Sequence, residues 1–110
     1  METGVQHSVR EEAGAVIVEL RGEVDLENSP AARRLLLEWV GRGRKVLVDL
    51  SGVEYMDSSG VASLVEAFQR ARKGGVSFAL VAVNAPALRV LELARLDKVF
   101  TIHETLADGL

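Results

Sequence analysis

Asp57-Ser58-Ser59-Gly60 sets a carboxylate, two adjacent hydroxyls and a glycine in a row. They lie between the apolar run Val46-Leu47-Val48-Asp49-Leu50 and the segment from Val61 to Phe68. An apolar, valine-rich run with one polar interruption predicts a strand buried on both faces. Val61, Leu64, Val65 and Phe68 fall at i, i+3, i+4 and i+7, which is one face of a helix. The hydroxyls therefore stand where a strand hands over to a helix. Such a terminus presents unpaired backbone N–H groups and the positive end of a macrodipole. Gly60 is expected to remove the side chain that would keep a ligand from the backbone. Asp and Ser ahead of an apolar helix are also ordinary N-caps, contributing about 0.5–2 kcal/mol. One helix needs one cap, and Asp57, Ser58 and Ser59 are all competent, which leaves a hydroxyl available for phosphorylation.

The chain that positions this turn has 110 residues, enough for a single domain over 1–110 with one core. Apolar residues make up 48% and charged residues 26%, the balance of a folded soluble protein. A formal net charge of -3 argues against general nucleic-acid binding, and the basic clusters Arg33-Arg34 and Arg42-Gly43-Arg44-Lys45 read as solvated faces. Without cysteine the chain has no disulfide or thiolate chemistry. Met1 to Arg10 lacks the pattern of a secretory leader, and the apolar runs are shorter than the roughly 18 residues of a membrane span. A cytoplasmic protein without membrane insertion is expected.

Enzyme chemistry finds little support. Ser58 and Ser59 lack the Gly-x-Ser-x-Gly elbow, and His103 has no spacing that would pair it with a serine and an orienting carboxylate. His7 and His103 do not form a metal-ligand pattern, and neither a Walker A loop nor a dinucleotide fingerprint is present. No cofactor and no metal are expected.

In chain order, Val5 to Val9 alternates as a first strand, Glu11 to Gly14 reads as a turn, and Ala15 to Leu20 as a second strand in an antiparallel hairpin. Arg21 to Pro30 reads as a loop, with Ser29 as cap and Pro30 at the first helical position. Ala32, Leu35, Leu36, Trp39 and Val40 make the apolar stripe of the helix that follows. After the central strand and helix, Gly74 is expected to take the left-handed cap. Val76 to Val83 is a further strand. Asn84 caps a third helix with Leu88, Leu91 and Arg95 on one face, and Val99 to Ile102 is a short last strand before a terminal helical turn or frayed tail. Two strands followed by alternating helices and strands predict an α/β fold. Its mixed, mainly parallel sheet has about four to five strands with helices packed against it. In such sheets sites gather at the carboxyl ends of strands, so the turns at Asp25, Asp57 to Gly60 and Asn84 could share an edge.

Val48 to Val61, which contains Met56-Asp57-Ser58-Ser59-Gly60, resembles the signature of STAS domains, the fold of bacterial anti-sigma factor antagonists. Gly22-Glu23-Val24-Asp25 is similar to the segment before that family's first helix, and Leu88-x-x-Leu91-x-x-Ala94-x-Leu96-Asp97-x-Val99-Phe100 to its late helix and last strand. The resemblance implies a single STAS-like domain that is not an enzyme. Its partner would be an anti-sigma factor acting as a serine kinase, which phosphorylates Ser59 and contacts Asp25, Asp57, Ser58, Ser59 and Gly60. Asp25, otherwise an ordinary loop carboxylate, would then frame Ser59 together with Asp57. The alternative is a STAS accessory subunit of a lipid ABC transport complex, partnered by permease and ATPase subunits. Its docking surface would be the small residues of Ala62-Ser63-Leu64-Val65-Glu66-Ala67.

Overall fold

The computed structural model describes residues 4–110; the first residues of the segment read for a leader, and of the predicted 1–110 domain, lie outside the described residues. The elements are β1 (Gln6–Glu12), β2 (Ala15–Val24), α1 (Ser29–Val40), β3 (Lys45–Met56), α2 (Ser58–Lys73), β4 (Phe78–Val81), α3 (Ala85–Leu93), β5 (Ile102–His103) and α4 (Leu106–Gly109). The sheet has five strands in the order β1-β2-β3-β4-β5. β1 runs antiparallel to β2 and all other neighbours are parallel, as the alternation of elements predicts.

β1 is longer than its alternating residues suggest. Glu11 and Glu12 pair with Val16 and Ala15, which leaves a two-residue loop, Ala13-Gly14, with φ of 52° and 81°. Two positive φ values in succession match the twist of the flanking strands, and Gly14 accepts that conformation without strain.

The larger departure lies at the far ends of β2 and β3. Arg21 to Val24, expected in a loop, continue β2, and Ser51 to Met56 continue β3. The pairing runs on through Arg21↔Gly52, Gly22↔Val53, Glu23↔Tyr55 and Val24↔Met56, with register shifts between Glu19 and Arg21 and between Gly22 and Glu23. Each irregularity breaks the period-two alternation by which a strand is recognised. These extensions carry the central turn past the end of β4, which stops at Val81 opposite Asp49.

Val46 to Leu50 is buried along its whole length, as a central strand should be. Val16, Val18, Leu20, Val46, Val48, Leu50 and Leu80 meet the helices on one face, where Ala32, Leu36, Leu64, Ala67 and Leu91 are fully buried. Ala15, Ile17, Leu47, Ala79 and Val81 form a smaller apolar layer on the other face, against Leu106 of α4. The tail is thus a helical turn seated on the sheet. Phe68 of α2 meets Phe78 and Phe100 edge to face, with centroids 6.3 and 5.3 Å away. Met56 is buried; Trp39 is half-buried, with the Arg42 guanidinium 4.1 Å from its ring centre.

Smaller corrections have local causes. Asn28, not Ser29, is the N-cap of α1, and Gly75, not Gly74, takes the positive φ after α2. The last strand lies at Ile102–His103, because Val99 and Phe100 donate their N–H groups back to the Leu96 carbonyl in a turn. Arg95 falls beyond α3 at φ 59° and is exposed, so the buried face of that helix is Ala87 and Leu91.

Candidate functional site

Asp57 is the residue between β3 and α2 and is extended, with φ -105° and ψ -174°. From there its carboxylate folds over the helix start: Oδ1 accepts from the Ser59 N–H at 2.9 Å, the Gly60 N–H at 3.3 Å and the Ser59 hydroxyl at 2.5 Å. Oδ2 accepts from the Leu26 N–H at 3.1 Å. These donors, led by the Ser59 hydroxyl, hold the Asp57 carboxyl below the usual aspartate range against a partial loss of hydration. Asp57 is therefore the cap. Ser58 is exposed, and Ser59 is half-buried with its hydroxyl oriented by the carboxylate.

Gly60 serves a purpose other than the expected one. It is buried, and a Cβ there would lie 2.9 Å from both Met56 Cγ and the Val24 carbonyl oxygen. The missing side chain lets the first turn of α2 sit on the ends of β2 and β3, so the glycine faces the core and not a ligand. Ser63, one turn on, is buried with its hydroxyl 3.1 Å from the carbonyl oxygens of Ser29 and Ser59, tying the start of α1 to the start of α2.

The loop after β2 lies against this turn. The Asp25 carboxylate accepts from the N–H groups of Glu27 and Asn28 at 3.1 and 3.3 Å, so it braces its own loop. Asn28 is buried, returning Oδ1 to the Asp25 N–H at 2.9 Å and donating Nδ2 to the Glu23 carbonyl at 2.8 Å. The loop meets the central turn through Leu26, whose residue surface is 76% exposed. Asn84 caps α3, as expected, and its side chain donates to the Val53 carbonyl at 3.0 Å. That contact lies before the end of β3, so Asn84 stands back from the turns at Asp25 and Asp57.

Two shallow grooves flank the outer side of α2. One, of about 270 Å³, lies between α1 and α2 and is lined by Ser29, Arg33, Ser59, Ala62, Ser63 and Glu66. The other, of about 490 Å³, includes Ser58, Ala62, Val65, Glu66, Gln69 and Leu96. Ala62 and Glu66 form the ridge between them, and Arg33 reaches across the first groove to form an ion pair with Glu66. Sequence reasoning did not single out Leu26 or Asn28; it read Arg33 only as part of a solvated basic pair and Glu66 only as part of the Ala62–Ala67 stretch, without the contact between them. The one available signal was Leu26, an apolar residue between Asp25 and Glu27. Among the described residues no group of three or more His, Asp or Glu could hold a metal ion, and no helix is long and apolar enough to cross a membrane.

Comparison with known proteins bears on the fold and the family. The chain is 32% identical over 104 residues to the anti-sigma-F factor antagonist RsfB of Mycobacterium tuberculosis, covering 94% of this chain and 84% of that one. It is 27% identical over 108 residues to the anti-sigma F factor antagonist of Paenibacillus polymyxa, covering 96% and 92%. The crystal structure of an anti-sigma factor antagonist from Mycobacterium paratuberculosis superposes with a TM-score of 0.87 at 27% identity, over 99% of this chain and 95% of that one. The STAS domain profile matches residues 6–109, and the chain belongs to the STAS domain family.

Proposed function

We propose that this protein is an anti-sigma factor antagonist that binds an anti-sigma factor with serine kinase activity and is released by phosphorylation of Ser59. The reading rests on one observation: the Ser59 hydroxyl borders a surface groove at a helix start, oriented by Asp57, in a chain whose relatives carry that name. Ser58, Ser59, the Ala62–Glu66 ridge and the loop of Asp25 and Leu26 make the docking face. In the kinase complex the Ser59 oxygen attacks the γ-phosphorus of ATP, ADP leaves, and the hydroxyl proton passes to a base of the kinase. The product carries about -1.5 to -2 additional charge, set beside the Asp57 carboxylate. The helix terminus offsets only about 0.3–1 kcal/mol of the repulsion. Desolvating that charge in an interface opposes binding, while the fold, whose core is elsewhere, stays intact.

Of the small residues that suggested docking on a transporter, Ser63 and Ala67 are buried inside the domain and Ala62 alone is exposed, so no specific observation favours the subunit reading. The test is reconstitution with the candidate anti-sigma factor kinases of the same genome, ATP and phosphosite mapping. The proposal expects phosphate on Ser59, a stable complex with Ser59→Ala, and a weakened one with Ser59→Asp. Efficient labelling of the Ser59→Ala protein would overturn it.

A further inference from the structure

We infer that the groove between α1 and α2 is a receiving site for the phosphate of phosphoserine 59, with Arg33 leaving Glu66 to bind it. The inference rests on Ser59 as the modified residue and adds what the protein itself does with the phosphate.

Ser59, Arg33 and Glu66 line one groove. The contacts Ser29–Ser63 and Arg33–Glu66 advance together along both helices, so α1 and α2 run in the same direction and their N-termini lie side by side. Side chains on a helix lean toward its N-terminus, which points the long Arg33 stem back toward the level of Ser59. Glu66 lies seven residues after Ser59, roughly 10 Å along the axis, a span that an arginine swinging through the groove can cover.

Charge gives the direction of the exchange. The Arg33 and Glu66 side chains are 48% and 43% exposed, and a pair so open to water holds its partners weakly. A phosphate dianion carries more charge than a carboxylate and can equally take both arms of a guanidinium. The charged groups around that position are Asp57 at the cap, Asp25 and Glu27 in the loop bonded to it, Arg33 on α1 and Glu66 on α2. Arg33 brings the groove's positive charge. The exchange leaves Glu66 unpaired on the ridge of the docking face, so phosphorylation changes the surface at two places, the helix start and the middle of α2.

The test installs phosphoserine at position 59 during translation and follows the phosphate by ³¹P NMR across pH, in the parent, Arg33→Gln and Glu66→Gln proteins. Both substitutions are on the surface. The second ionisation of phosphoserine lies near pH 6. Arg33→Gln is expected to raise it and Glu66→Gln to lower it, each by roughly half a unit, the size an exposed pair supports. Identical titrations in all three proteins would overturn the inference. Because no kinase or partner takes part, failure here is separate from failure of the proposed function, which the labelling experiment decides.

Discussion

The Leu26 amide and the Asp57 carboxylate are joined by a 3.1 Å hydrogen bond between residues 31 positions apart. Asp57 Oδ1 meanwhile holds the hydroxyl and amide of Ser59. A single carboxylate thus serves as helix cap, orients the candidate phosphoacceptor and fixes the loop in front of it. Asp57→Ala removes all four hydrogen bonds to that carboxylate, the one from the Gly60 amide included. A lost cap destabilises by about 0.5–2 kcal/mol, and in a domain of this size each kcal/mol lowers Tm by roughly 4–8 °C. Amide exchange at Leu26 should accelerate with it. An unchanged Leu26 amide in the variant would show that the loop is held by other contacts.

The same carboxylate predicts a pH dependence. The donors around Asp57, the Ser59 hydroxyl first, hold its folded pKa below the unfolded value. Above the ordinary aspartate range, near pH 3.9, it is ionised in both states and its stabilising contribution is fully present. As pH falls below that range the unfolded chain takes up the proton first, and the contribution is lost down to the folded pKa. Glu19 acts in the same direction, lowered chiefly by its hydrogen bond from Arg21, at 2.6 Å. Urea denaturation between neutral and acid pH should therefore show a decline in stability that becomes shallower in Asp57→Asn and flatter again when Glu19→Gln is added. An unaltered slope in the double variant would place the acid sensitivity elsewhere.

Gly60→Ala should be destabilising although glycine within a helix is ordinarily a poor former. The new methyl would meet Met56 Cγ and the Val24 carbonyl oxygen at 2.9 Å, and a backbone oxygen has little room to yield. Overpacking of this kind costs about 1–3 kcal/mol. Replacing Gly by Ala at an unobstructed helix position instead stabilises, by about 0.4–1 kcal/mol. The sign of the measured change in a denaturant titration therefore separates a packing role for Gly60 from a merely tolerated glycine.

The elements legible in the sequence were those whose apolar residues kept a regular period. The buried face of α1, with Ala32, Leu36 and Val40, the central strand from Val46 to Leu50, and the start of α2 at Val61 and Leu64 stand where the pattern puts them. The ends of β2 and β3 were not legible. There the register slips twice, Gly22 has a φ of 71°, and only Val24, Val53 and Met56 are buried apolar residues, the others being polar, glycine or the exposed Tyr55. At the turn itself residue types suggested a cap and a hydroxyl but not which residue does what. The assignment needs the extended ψ of Asp57 and the strand positions of Val24 and Met56, which decide that Gly60 faces inward. Arg33 and Glu66, 33 residues apart, meet only because α1 and α2 lie side by side, a relationship that no local pattern encodes.

Leu26 supplies the sharpest test of the proposed docking face. It is 76% exposed, at the tip of a loop braced by Asp25, Asn28 and the bond to Asp57, so its side chain is presented to solvent on a fixed backbone. Burying a leucine contributes about 1.5–3 kcal/mol, and an anchor that is already ordered loses little entropy on binding. Leu26→Asp should leave folding stability within about 0.5 kcal/mol, as for other surface substitutions. It should weaken the complex with the anti-sigma factor by roughly tenfold or more, mainly through faster dissociation. Leu26→Met should retain most of the affinity, since it keeps the apolar volume. Calorimetric titration of the three proteins decides the point: equal affinity for the parent and Leu26→Asp would move the partner off this loop and onto the α2 ridge alone.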